Sequence, residues 1–148
     1  MSREQYKVGV VGAGMVGQKL VQILEQREFP MEELRIMATS TRKQEIAGSE
    51  RQVIKTSEDA FDGLDIALFA GTEGESGASQ LYGWKAVEKG VLVVDNGKDY
   101  RMDDRVPLVV PEVNAGAIKE SEGFIANPNC STTQMVVALD PLHRAAGL

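Results

Sequence analysis

Short apolar runs and helically spaced apolar residues take turns along this chain. Tyr6 to Val11 (YKVGVV) is a β-branched run that stops at glycine, the pattern of a strand buried on both faces. Val16, Leu20, Ile23 and Leu24 then recur at helical spacing, and Pro30 lies just past the last turn. Leu34 to Thr39 (LRIMAT), Leu64 to Ala70 (LDIALFA) and Val91 to Asp95 (VLVVD) predict further strands. Between the last two, Leu81, Trp84 and Val87 suit a helix that closes at Gly90. Val106 to Val110 and Phe124 to Ala126 are expected as short strands, with Pro107 marking an edge or entry position. Finally Met135, Leu139, Leu142 and Ala146 fall on one face of a helix, which Pro141 is expected to kink or end, with Asp140 capping a second. Strands alternating with helices predict an α/β fold, a mostly parallel sheet covered by helices on both faces.

Composition narrows the class. The 148 residues suit one domain, taken as 1–148, with 43% apolar and 26% charged residues. A net charge of −6 argues against nucleic acid or anionic lipid as a general partner, since such binding relies on Lys and Arg meeting phosphate. No stretch approaches the roughly 20 apolar residues of a membrane span. The polar start, Met1 to Lys7, lacks the apolar core of a signal peptide, so the expectation is a cytoplasmic protein. One Cys and one His exclude an internal disulfide and make no structural zinc site, so no metal is expected.

Gly12-Ala13-Gly14-Met15-Val16-Gly17 is a GxGxxG sequence set between a predicted strand and a predicted helix. That context is the signature of a Rossmann-type, doubly wound dinucleotide-binding fold. Gly12 serves the tight turn, Gly14 lets a pyrophosphate approach the backbone, and Gly17 lets the helix pack closely. The helix N-terminus offers unpaired N–H groups to the phosphates. An NAD-selective site usually carries Asp or Glu at the end of the second strand. Here that position reads Thr39-Ser40-Thr41-Arg42-Lys43, hydroxyls and two cations suited to a 2′-phosphate, so NADP is the expected cofactor.

Asn127-Pro128-Asn129-Cys130-Ser131-Thr132-Thr133-Gln134 precedes the last helical stretch. Cys130 would then stand at a helix N-terminus, where backbone dipoles stabilise a thiolate. A dipole worth about 1 kcal/mol shifts a thiol pKa by less than one unit, so a base would still be needed. His143 is the only histidine and lies thirteen residues further on, about 20 Å along a helix at roughly 1.5 Å per residue. It is expected to be a packing or surface residue.

The glycine turn, Asp95-Asn96 with Tyr100-Arg101-Met102-Asp103, the segment Val106 to Asn114 and the Asn127 to Thr132 element together resemble successive motifs of aspartate-semialdehyde dehydrogenases. The resemblance covers nearly the whole chain. It implies an oxidoreductase in which a cysteine attacks the aldehyde, hydride passes to NADP and phosphate releases the acyl group as aspartyl phosphate. In the cell the reaction runs in reverse, toward lysine, threonine and methionine. Cys130 would be the nucleophile, Arg101 and Asn129 would hold phosphate, and Ser40 and Arg42 would contact the adenosine phosphate. Resemblance also implies a small-molecule substrate, a homodimer or homotetramer, and a C-terminal catalytic and dimerisation domain, absent from this chain, that carries the catalytic His and a substrate-binding Arg. Accordingly the 148 residues alone are expected to be inactive.

Two departures stand out. Many members have a longer Gly-Ala-Thr-Gly turn, and many bacterial ones have two serines where this chain has Gly97 and Lys98. Two alternatives remain open beside this reading. An N-acetyl-glutamyl-phosphate reductase usually has Gly-Cys-Tyr where this chain has Asn129-Cys130-Ser131. In a non-catalytic dinucleotide-binding module Cys130 would be incidental.

Overall fold

The computed structural model describes residues 5–147; the start of the polar lead-in, residues 1–4, lies outside them. The elements run β1 (Tyr6–Val11), α1 (Met15–Gln26), β2 (Met31–Ala38), β3 (Arg42–Ile46), β4 (Ser49–Lys55), β5 (Ile66–Phe69), α2 (Ala78–Glu88), β6 (Leu92–Asp95), α3 (Pro111–Asn114), β7 (Phe124–Ala126) and α4 (Cys130–Ala146). They build one seven-stranded sheet in the order β3-β4-β2-β1-β5-β6-β7. Every pairing is parallel except β3 with β4. Setting β3 aside, the order is that of a doubly wound dinucleotide-binding sheet, and it reverses direction between β1 and β5.

Neighbouring residues of β1 face opposite sides, and so serve two cores. Val10 packs with Val21 of α1, Ile36, Ile46 and Val53 on one face. Val11 packs with Met37, Phe61, Phe69, Val93 and Phe124 on the other, under Ala86 of α2. Phe61, Phe69 and Phe124 are each fully buried, which contributes about 1.5–3 kcal/mol apiece. Helices therefore cover both faces of the sheet.

Three features depart from the sequence expectation. The hairpin β3–β4 was unforeseen. It turns at Ala47-Gly48, both with positive φ (54° and 79°), the backbone of a tight hairpin turn. Strand β3 carries Arg42, Lys43 and Glu45 because it is the sheet's edge, and charge there also discourages pairing with other chains. Residues Val106 to Val110 form no strand: Pro107 has no N–H to donate, and only an isolated bridge joins Leu108 to Ala126. Helix α4 runs through Pro141 unbroken, while Asp140 pairs with Arg144 one turn on rather than capping a second helix.

Helix α4, unlike the long helices α1 and α2, has no buried residue. Met135 and Leu142 are each 54% exposed, so the predicted apolar stripe meets no core among the described residues. Arg144 ties the far end to α3 by donating to the Val113 carbonyl at 3.2 Å.

Candidate functional site

The carboxyl ends of the parallel strands carry two open clefts. The first, about 370 Å³, lies at the β1/β5 reversal and is floored by Gly12, Ala13 and Gly14, with Ala70 and Gly71 after β5 and Arg42 at the hairpin. Gly12 has φ +113°, and a β-carbon there would stand 2.5 Å from the Ala70 carbonyl oxygen, so only glycine serves. Gly17 is buried against the turn itself: a β-carbon would overlap the Gly12 carbonyl oxygen. Gly14 meets nothing within 4 Å, leaving open space above the backbone where a ligand can approach.

Gly14 also heads α1 without a side-chain cap, and no acidic residue occupies the first turn. The amides of Met15, Val16 and Gly17 thus lie in the helix's first turn, whose donors have no intrahelical partner. Met15 is 86% exposed and contributes only backbone to this site. Ala13 is buried, and its carbonyl receives Gln18 Nε2 at 3.2 Å and Gln44 Nε2 at 2.9 Å, which lashes the turn to α1 and β3. An open glycine cradle, a helix N-terminus and a guanidinium at one cleft fit the pyrophosphate and phosphate groups of a dinucleotide.

Ser40 and Arg42 come together. The Arg42 guanidinium donates from Nη1 to the Ser40 carbonyl and hydroxyl at 3.2 and 3.3 Å, and from Nε to Gln44 Oε1 at 3.0 Å. Lys43, expected beside it, turns away and pairs with Glu50 at 2.8 Å. Lys98 likewise pairs with Glu73, its backbone N–H donating to the same carboxylate at 3.1 Å.

The second cleft, about 450 Å³, lies beyond β6 and β7 and is lined by Asn96, Asn127, Cys130 and Thr133, among others. Cys130 is the exposed first residue of α4. Asn129 caps that helix: its Oδ1 accepts from the Ser131 N–H at 3.0 Å and hydroxyl at 2.6 Å, and lies 3.8 Å from the Cys130 Sγ. The acceptor side of this amide is taken, and its N–H₂ faces no described partner. Arg101 donates from Nε to the Asn127 carbonyl at 2.8 Å and from Nη2 to the Asn96 carbonyl at 3.0 Å. It is therefore fixed on two residues of the cleft wall, with Nη1 uncommitted among the described residues.

Asp95, at the end of β6, is 1% exposed and was not singled out as a site residue. Its Oδ1 accepts from the Gly97 N–H at 2.8 Å, while Oδ2 has no hydrogen-bond partner. Burial pushes its carboxyl above the usual range, opposed by the Gly97 N–H and the Ser79 hydroxyl. A carboxylate closing the apolar run VLVVD was the available signal. Asp95 holds the backbone that follows it, from which Asn96 and Arg101 project.

No described helix is long and apolar enough to cross a membrane, and no described cluster of three or more His, Cys, Asp or Glu could hold a metal ion.

A glycine turn opening a helix where the strand order reverses defines a dinucleotide-binding domain of the Rossmann type. The chain belongs to the semialdehyde dehydrogenase NAD-binding domain family, whose description (Semialdehyde dehydrogenase, NAD binding domain) matches residues 7–121. It is 44% identical to the aspartate-semialdehyde dehydrogenase of Bacillus subtilis over 145 residues, 95% of this chain and 41% of that protein. Among solved structures it is similar to aspartate semialdehyde dehydrogenase II of Vibrio cholerae complexed with ASA, with 39% identity and TM-score 0.86 over 97% of this chain and 48% of that one. The enzyme of Candida albicans with NADP is 25% identical, with TM-score 0.72 over 97% and 48% of the two chains. The chain thus spans less than half the length of the relatives it matches.

Proposed function

We propose that this chain is the cofactor-binding and nucleophile-bearing part of an NADP-dependent aspartate-semialdehyde dehydrogenase. The observation that carries the reading is Cys130, exposed at the head of α4 beside a cleft on which Arg101 is anchored, on the same sheet edge as the glycine cleft. The relatives' shared name and the motif resemblance support the substrate; Arg42 and the lack of an acidic residue at the β2 end support NADP.

Gly12, Ala13, Gly14 and the first turn of α1 would hold the pyrophosphate, and Ser40 and Arg42 the adenosine phosphate. When bound, NADP supplies a hydride acceptor to one direction of the reaction and, reduced, a donor to the other. The Cys130 sulfur, as thiolate, attacks the aldehyde carbon and forms a C–S bond. After oxidation the acyl group stays on sulfur as a thioester. Phosphate, held by the free Nη1 of Arg101 and the Asn129 amide N–H₂, attacks that carbonyl; the C–S bond breaks and the acyl phosphate leaves. The base that relays the proton is not His143, which α4 carries about 20 Å from Cys130 at roughly 1.5 Å per residue. A C-terminal catalytic and dimerisation domain would supply it, together with the carboxylate-binding cation, in a cytoplasmic homodimer or homotetramer.

The test is the initial rate of NADP reduction by the complete protein with aspartate semialdehyde and phosphate. Activity should require phosphate and fall by at least about 10³-fold in Cys130→Ala, with NADP affinity unchanged. A Cys130→Ala enzyme of near-normal rate would overturn the assignment.

A further inference from the structure

The register of the β3–β4 hairpin decides which cations reach the adenosine end of the glycine cleft. Arg42 stands opposite Val53, and cross-strand partners share a face. Lys55 lies two residues beyond Val53 on β4 and so projects from that same face. Lys43 stands opposite Gln52, on the other face, where its ammonium meets Glu50.

The turn between β2 and β3 touches both residues. Arg42 donates to Ser40, and the backbone N–H of Lys55 donates to Thr41 Oγ1 at 3.0 Å. Lys55 lines a groove of about 200 Å³ that shares Thr39, Thr56, Thr72 and Ala78 with the larger cleft. The two adjoin at these residues. Neither part is lined by Asp or Glu, and Lys55 has no carboxylate partner among the described residues. Diagonal cross-strand positions lie about 7–8 Å apart at the backbone, a span that long side chains close readily.

We infer that Lys55 is a specificity-determining residue for the cofactor: with Arg42 it grips the dianionic 2′-phosphate that distinguishes NADP from NAD, and Lys43 takes no part. The inference rests on the NADP reading above. Arg42 supplies planar, directed donors, and Lys55 supplies a mobile point charge from the neighbouring strand.

Isothermal titration of NADP and of NAD into the protein, for wild type, Lys55→Gln and Lys43→Gln, tests it. Lys55→Gln should weaken NADP by about 3- to 10-fold and leave NAD within about 2-fold, whereas Lys43→Gln should change neither. The loss should shrink in added salt, since both groups are near solvent. A wild type that prefers NADP while Lys55→Gln keeps the wild-type ratio would overturn the role of Lys55 and leave the NADP reading standing. Equal losses in Lys55→Gln and Lys43→Gln would likewise overturn it, showing only a diffuse charge effect. Equal affinity of the wild type for both dinucleotides would overturn the inference and the NADP reading together.

Discussion

Of the helix N-termini at the carboxyl edge of the sheet, those of α1 and α4 are built in opposite ways. Helix α1 begins at an uncapped glycine, buries Gly17 and Val21, and is lashed to the hairpin through Gln44 and through the Arg51–Glu25 pair. Helix α4 begins at an Asn cap whose side-chain oxygen is engaged, has no buried residue, and exposes its thiol. The first terminus leaves its donors open and takes rigidity from the sheet, which suits holding a large anionic ligand. In the second, local hydrogen bonds fix a reactive atom while the helix body waits for other surface to cover it. On the proposed reading, a cofactor site held by the sheet thus stands beside a nucleophile that is placed but unsupported.

The difference is sharpest at two glycines of one turn. Gly17→Ala forces a β-carbon into the Gly12 carbonyl and should destabilise the domain by about 3 kcal/mol or more, seen as an earlier urea midpoint. Gly14→Ala meets no protein atom and has φ −77°, so its midpoint should stay within about 0.5 kcal/mol of wild type while NADP affinity falls. If Gly14→Ala kept full affinity, the cradle would not be the phosphate site.

At the other terminus the cap is the main local support. Asn129→Ala should cost about 1 kcal/mol of α4 stability, read as faster hydrogen exchange at the Ser131 and Thr133 amides, with β1 amides unaffected. Unchanged exchange at α4 would mean that the cap does not hold this helix.

A smaller effect tests the support beneath Arg101. Because burial raises the folded-state pKa of Asp95, its protonated form is favoured in the native protein. That contribution to stability is fully present below the ordinary value near 3.8 and is lost as pH rises through the raised folded value. Asp95→Asn should therefore gain on wild type as pH climbs from below 4 toward neutrality, measured by urea unfolding across that range. Parallel profiles for the two proteins would contradict a buried, titrating carboxyl.

Much of this was legible in the sequence where signals are local or doubly buried. β1, β5 and β6 read directly because both faces of a central parallel strand are apolar, and the edge strand β7 because its three residues are all apolar. The glycine turn and the helix start at Cys130 read directly because each depends on a few adjacent residues. The hairpin did not, since an edge strand needs few apolar residues and its turn used Ala47-Gly48 instead of a stronger pair. With the hairpin went the register, and so the separate fates of Arg42 and Lys43, adjacent in sequence and opposite in space. The α4 stripe was read correctly as periodic, but periodicity does not say what an apolar face meets.

The most direct test of the central claim is to give the purified 148-residue chain both tasks at once. Titration should show NADP binding at one site per chain, and the same sample should oxidise aspartate semialdehyde with NADP and phosphate at a negligible rate, about 10² to 10⁴ below that of an enzyme with its base in place. Turnover at a rate typical of an enzyme would contradict the account and require a base within this chain, to be sought at Glu112, Asp95 and His143.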